Sequence, residues 1–366
     1  MQLSENRGRP KMEQEYWKIM NQVQELPKSQ IKVSLLEEAV RIADALNDIN
    51  KGYDARLELV MATSDIGLID KTIVAYTWCL SIYDKFSEQF DYVSLMWRYK
   101  WIVSHLDEFP QISFEKIDQV YEDMKQRYTS FEISLRPYYQ YKHKHALNRG
   151  DIELAQLYYD KWINAEVDYW SDCKACEVDQ KVHSQYLLGN VDQCLELATP
   201  IINGSMRCGE VPHLTLAVLL LPLLQKGNLN EAEKLETKSY KLIKTNKKFL
   251  PQLSYHLNYL TIINPRRAFN LFEKYLPWAL ETNNYQTKFN YYLASYVFLS
   301  LNDKAKEKLK ISKLPDYITF EWIEAQTNQI AELFNKRNGN SFYKDRIKTQ
   351  YEQISMIKES IAKIHS

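Results

Sequence analysis

The chain has 366 residues, with 47 Lys and Arg against 47 Asp and Glu, so its formal net charge is zero. Hydrophobic residues at 45% and charged residues at 26% are an ordinary globular balance and exclude disordered, collagen-like and membrane-embedded classes. Only 9 glycines argue against a β-sandwich or a Gly-rich phosphate loop, and balanced charge supplies no overall field toward nucleic acid or an anionic bilayer.

Residues 1–11 read as a disordered polar tail without the apolar stretch of a secretory signal. Within it, Arg7-Gly8-Arg9-Pro10-Lys11 is similar to the core of an AT-hook, whose extended Arg-Gly-Arg-Pro lies in the narrow minor groove of A·T-rich DNA. Gly8 would allow close approach while Arg7 and Arg9 follow the groove floor and Pro10 keeps the chain extended. There is one copy, beside Glu5, in a chain without net positive charge. Such a contact binds weakly and fades with salt, so a plain solvated tail is the favoured reading and nucleic acid is not the expected partner.

Helical periodicity then runs through almost the whole chain. It predicts helices over 12–25, 30–47, 52–65, 68–86, 90–105 and 113–128, a helical region of degenerate repeats spanning 12–130. Further helices are expected over 132–149, 151–166, 170–188, 190–202, 212–226, 229–244, 251–262, 265–281, 285–300 and 302–310, within a repeat region of 131–314. Two more, 317–337 and 341–364, read as C-terminal capping helices in 315–366. The expected breaks are at 107–113, 204–212 and 314–316, and none is long enough to separate independent domains. Pro222 interrupts the apolar run 214–224 and should kink its helix.

A phrase recurs along the second half. Gly150-Asp151-Ile152-Glu153-Leu154-Ala155 returns as Gly189-Asn190-Val191-Asp192-Gln193-Cys194 and as Gly227-Asn228-Leu229-Asn230-Glu231-Ala232, with fainter echoes ending at Ala268 and Ala305. Gly closes one helix in a left-handed cap, and Asp or Asn opens the next. The small residue five places later lets two helices approach closely. Gly150, Ala155 and Tyr159 stand where a tetratricopeptide repeat has its turn Gly, its Ala and its following aromatic, so the stretch 130–310 resembles that family. The repeat here is longer than the family's, and Lys142 and His143 stand where Leu and Gly belong. The resemblance implies an all-α fold, an α-α superhelix of stacked helix pairs, with the first helix of each pair lining a concave face.

Aligned on the turn glycine, the concave candidates are Gln140, Lys144 and Asn148, then Asp179, His183 and Tyr186. They continue with Leu214, Leu221 and Gln225, then Leu257, then Asn290. An apolar trough with amides at its ends suits an extended or helical peptide, although inter-repeat core is the favoured reading of Leu214, Leu221 and Leu257. The one metal-like cluster is Cys173-Lys174-Ala175-Cys176 with His183, to which Cys194 or Cys208 would add a thiolate; small residues packed between helices are the bland alternative. His143 and His256 fall at one interior repeat position and should pack there. No catalytic motif or cofactor-binding string is present. The expectation is a non-enzymatic, cytoplasmic adaptor or receptor that binds a protein or peptide segment on the concave face, with no cofactor. Two alternatives stay open: a signalling-peptide-responsive regulator of the bacterial tetratricopeptide type, with weak DNA contact through the Arg7–Lys11 tail, and a metal or redox role at Cys173 and Cys176.

Overall fold

A computed structural model describes residues 2–365, with side chains described from 8 to 363. Among the described residues the secondary structure is helical throughout, without a strand, and consecutive helices pack as neighbours in an α-α superhelical order. No helix there is long and apolar enough to cross a membrane. The chain forms two compact units, Met1–His105 and Leu106–Ser366, and the boundary falls beside the break expected at 107–113.

The first unit holds α1 (Gln2–Glu25), α2 (Gln30–Ala45), α3 (Ile49–Asp65), α4 (Ile69–Lys85) and most of α5 (Tyr92–Leu106). Ser29 and Asp48 cap α2 and α3 through their side-chain oxygens, as short polar residues do where the first backbone N–H groups lack partners. Val33, Leu36, Ala39, Tyr53, Val60, Tyr76 and Cys79 fill the space between these helices. The helix α1 reaches back to Gln2 where a disordered tail was expected over 1–11. Gly8, Arg9 and Pro10 are exposed on it in helical backbone rather than the extended form an AT-hook needs, and the Arg7 side chain lies outside the described residues.

The second unit begins with α6 (Phe114–Ser130) and continues through the pairs α7 (Arg136–Arg149) with α8 (Ile152–Asn164) and α9 (Lys174–Leu187) with α10 (Val191–Ile202). The next pair opens on α11 (Thr215–Val218) and α12 (Leu220–Gln225) and closes on α13 (Leu229–Ile243). This is the helix expected over 212–226, broken at Leu219. Pro222 has no N–H to donate to the Val218 carbonyl and its ring crowds that oxygen, so the break lies one turn upstream. Then follow α14 (Leu250–Ile263) with α15 (Pro265–Glu281), α16 (Tyr285–Ser300) with α17 (Asp303–Leu309), and finally α18 (Phe320–Asn338) and α19 (Phe342–His365).

The recurring phrase does what its chemistry requires. Gly150, Gly189 and Gly227 sit at helix ends with φ of 76°, 76° and 73°. The small residues that follow, Ala155, Cys194, Ala232, Ala268 and Ala305, are all buried where paired helices meet. Inner helices α7, α9, α11 with α12, α14, α16 and α18 lean on one another in sequence, and the second helix of each pair covers them from outside. His143 and His256 are buried at this seam, as expected. The His143 ring reaches Ala155 O at 2.8 Å and Ser184 Oγ at 2.7 Å, and His256 reaches Ser239 Oγ at 3.0 Å and Glu236 Oε1 at 3.4 Å.

Gly150 carries a second constraint, because a Cβ there would lie 2.4 Å from the Phe342 ring, whereas nothing lies within 4 Å of one at Gly227. Gly227→Ala should therefore cost about 1–2 kcal/mol of left-handed strain, and Gly150→Ala distinctly more, read as shifted denaturant midpoints at unchanged m. Burial pulls the His143 and His256 imidazoles below their ordinary range. The unfolded chain then binds more protons than the folded one below about pH 6.5, so stability is intact above that pH and falls as pH drops toward the lowered values. Melting temperature followed against pH should show this acid slope, and His143→Gln should flatten it while lowering stability at neutral pH by about 1–2 kcal/mol.

Candidate functional site

The inner layer of the second unit is where a repeat array offers a surface, and here it is occupied. After α18 the chain turns at Gly339, which has φ of 65°, and α19 runs back over α12, α14, α16 and α18. Its contact stripe is Tyr343, Ile347, Gln350, Ile354, Ile357 and Ile361, spaced alternately four and three residues apart. That spacing keeps one face of a helix against a neighbour over several turns. Tyr343, Ile354, Ile357 and Ile361 are buried, while Met356 on the opposite side is 69% exposed. The pattern was readable in the sequence, but the many charges of 341–364 pointed instead to a cap at the end of the stack.

Polar contacts fix the register of α19. Tyr343 donates its hydroxyl to Gln286, Arg346 donates to Asn290 Oδ1 at 3.0 Å, and Gln350 donates to Asn258 Oδ1 at 3.2 Å. Lys358 Nζ reaches Leu301 O at 2.7 Å. Tyr343 stacks on Phe334 with ring centres 4.3 Å apart and meets Phe289 at 5.1 Å. The turn into α19 is held to the start of the unit as well: Arg337 donates to Asp107 O at 2.8 Å, and Asn340 donates to Arg149 O at 2.8 Å.

The concave candidates divide around this helix. Asn290 and Tyr186 stand at its N-terminal half, Asn290 accepting from Arg346 and Tyr186 packed on Tyr255 with centres 5.5 Å apart. Arg346 acts on both tyrosines, although burial is what raises their hydroxyls. Gln140 is buried and donates to Asp172 Oδ2 at 2.9 Å, and Asn148 donates to the buried Asp107 Oδ2 at 2.8 Å. Lys144 is half-buried with Asp107 and Asp179 in its field. Asp179 accepts from Thr215 Oγ1 at 2.5 Å, with His183 Nε2 3.7 Å away, and burial raises its carboxyl. Leu221 and Leu257 belong to the main core and Leu214 packs against it. The apolar trough expected there is inter-helix packing, because α11, α12 and α14 have neighbours on every side. Gln225 is exposed at the end of α12.

The cysteines rearrange the metal-like cluster. Cys173 caps α9, its Sγ accepting from Cys176 N at 3.5 Å, and Cys208 from the loop before α11 joins them. Cys194 is buried in the core instead, and His183 turns to Asp179 rather than to the thiols. Burial and the adjoining sulfurs push the Cys176 thiol up.

The seat of α19 makes a direct prediction. Arg346→Ala removes the bond to Asn290 and a guanidinium 5.1 Å from the Phe289 ring. Loosening by about 1–2 kcal/mol should appear as faster amide exchange within 342–365, with α7 to α10 unchanged. No protein-family model matches this chain, and no curated protein matches it.

Proposed function

We propose that the second unit is a non-enzymatic, tetratricopeptide-like binding module whose inner face takes an amphipathic helical segment of a partner protein, in exchange for α19. One observation carries this reading. The inner helices present Gln286, Asn290 and Asn258 as a row of side-chain acceptors beside apolar surface, and α19 meets them with a donor at each point and a regular apolar stripe between. This is the chemistry of helix-in-groove recognition, in which apolar anchors supply affinity and side-chain amides set register. A tethered occupant acts at millimolar effective concentration, so a partner helix must carry a better stripe or meet a loosened α19. The five free cysteines agree with a reducing, cytoplasmic setting.

The test uses the full chain with Ile354→Glu and Ile357→Glu, which place charges in the seat of α19. This variant should bind a labelled synthetic peptide of residues 342–365 at one to one, at least tenfold tighter than the parent does, measured by fluorescence anisotropy. A variant that keeps its inner helices protected from amide exchange, releases α19 and still fails to bind the peptide would remove the helix-exchange reading.

A further inference from the structure

The first turn of α9 and the loop before α11 bring three of the five cysteines together. The sulfurs of Cys173, Cys176 and Cys208 all lie within 4.8 Å of one another, and Cys176 Sγ is 3.1 Å from Cys208 Sγ. A Cys-x-x-Cys pair on one helix turn offers only two ligands. Here a third arrives from a separate segment, and Cys173 is exposed while the other two are half-buried, so solvent reaches the cluster from one side.

Both segments are held in place. Beside Cys176, Glu177 takes the Arg136 guanidinium in a buried two-pronged bond of 2.6 and 2.7 Å. Beside Cys173, Asp172 accepts from Gln140 and Tyr141 at 2.9 Å each. Across the gap, Cys208 N donates to Val211 O at 3.1 Å and Met206 N to Pro200 O at 2.9 Å, while Val211 is buried with Ala175 and Ile201. Rigid supports of this kind leave only side-chain rotation to be adjusted on ligation.

We propose that Cys173, Cys176 and Cys208 form a three-thiolate site for a thiophilic d¹⁰ cation, Zn²⁺, with the fourth position open to water or an incoming ligand on the Cys173 side. Zinc holds thiolate sulfur at about 2.3 Å in a tetrahedron, which sets the sulfurs about 3.8 Å apart. The cluster meets that spacing when Cys176 and Cys208, now 3.1 Å apart, separate by less than about 1 Å and Cys173, within 4.8 Å of both, shifts by no more than about 1 Å. An all-sulfur donor set selects against Mg²⁺ and Ca²⁺, which take oxygen. The ligating thiols lose their protons to solvent as the metal–sulfur bonds form. Bound zinc would staple the loop before α11 to the first turn of α9.

The 366-residue chain, purified under reducing conditions and stripped with chelator, is titrated with Co²⁺ as the spectroscopic probe. One equivalent should produce an intense thiolate-to-cobalt band in the near ultraviolet that Zn²⁺ then bleaches. The band should vanish in Cys208→Ser and Cys176→Ser and persist in His183→Gln, with circular dichroism confirming that each variant is folded. Zinc should raise the melting temperature of the parent and not of Cys208→Ser. A folded, reduced parent that shows no band at one equivalent overturns the site whatever the variants do. So does a folded Cys208→Ser that keeps the parent's band, or a Cys176–Cys208 disulfide that forms in the presence of reductant and zinc.

Discussion

A polar group taken out of water must find a partner inside the protein, and the inner layer of the second unit is built around that demand. Its helices carry Gln140, His143, Asp179, His256 and Asn258, all buried, where an ordinary core would carry only apolar side chains. Each is answered from another segment: the Gln140 amide nitrogen by Asp172 in the loop before α9, and, from neighbouring helices, His143 by Ser184, Asp179 by Thr215, His256 by Ser239 and Asn258 by Gln350. Such bonds are geometric, so they hold helix pairs in register more tightly than the surrounding leucines, which tolerate sliding. They also make the layer intolerant of an empty inner face, since Asn258 Oδ1 would lose Gln350 to water and Asn290 Oδ1 would keep only the Gln286 amide at 3.1 Å.

The helix α19 meets that need from within the chain. It is amphipathic in the ordinary sense, yet its apolar residues cover surface that a repeat array usually leaves for another molecule. The same contacts read two ways energetically. They stabilise the resting chain by burying four large side chains and satisfying inner-face amides, and they raise the affinity that any competing helix must reach. Gly150 shows how far the surrounding structure is shaped to α19, because the turn that ends α7 lies against Phe342 and leaves no room for a methyl group.

The candidate sites were unevenly legible. Tyr186 and Asn290 could be assigned to the inner face from the repeat alignment, because helix register and one turn glycine suffice to say which residues share a face. Leu221 and Leu257 could not be told from core by the same means, since a helix buried on several sides carries apolar residues on every face. The cysteines show the limit from another direction. Cys173 and Cys176 are a local pair and visible as such, whereas Cys208 stands 32 residues beyond Cys176 and joins them only because the loop before α11 folds back onto α9. His183, placed suitably by spacing, is drawn off by the nearer Asp179.

By itself the sequence determined the local order of this protein: where helices start and stop, which glycines close them, which small residues let pairs approach, and that Pro222 breaks its run. These depend on interactions within a few residues of chain, where geometry follows directly from residue type. Only the tertiary structure decided that the inner face is filled by α19, that Arg337 and Asn340 tie the end of the second unit to its beginning, and that three thiols meet. Those outcomes depend on contacts between segments separated by tens to hundreds of residues, whose choice rests on the combined burial and pairing of many groups at once.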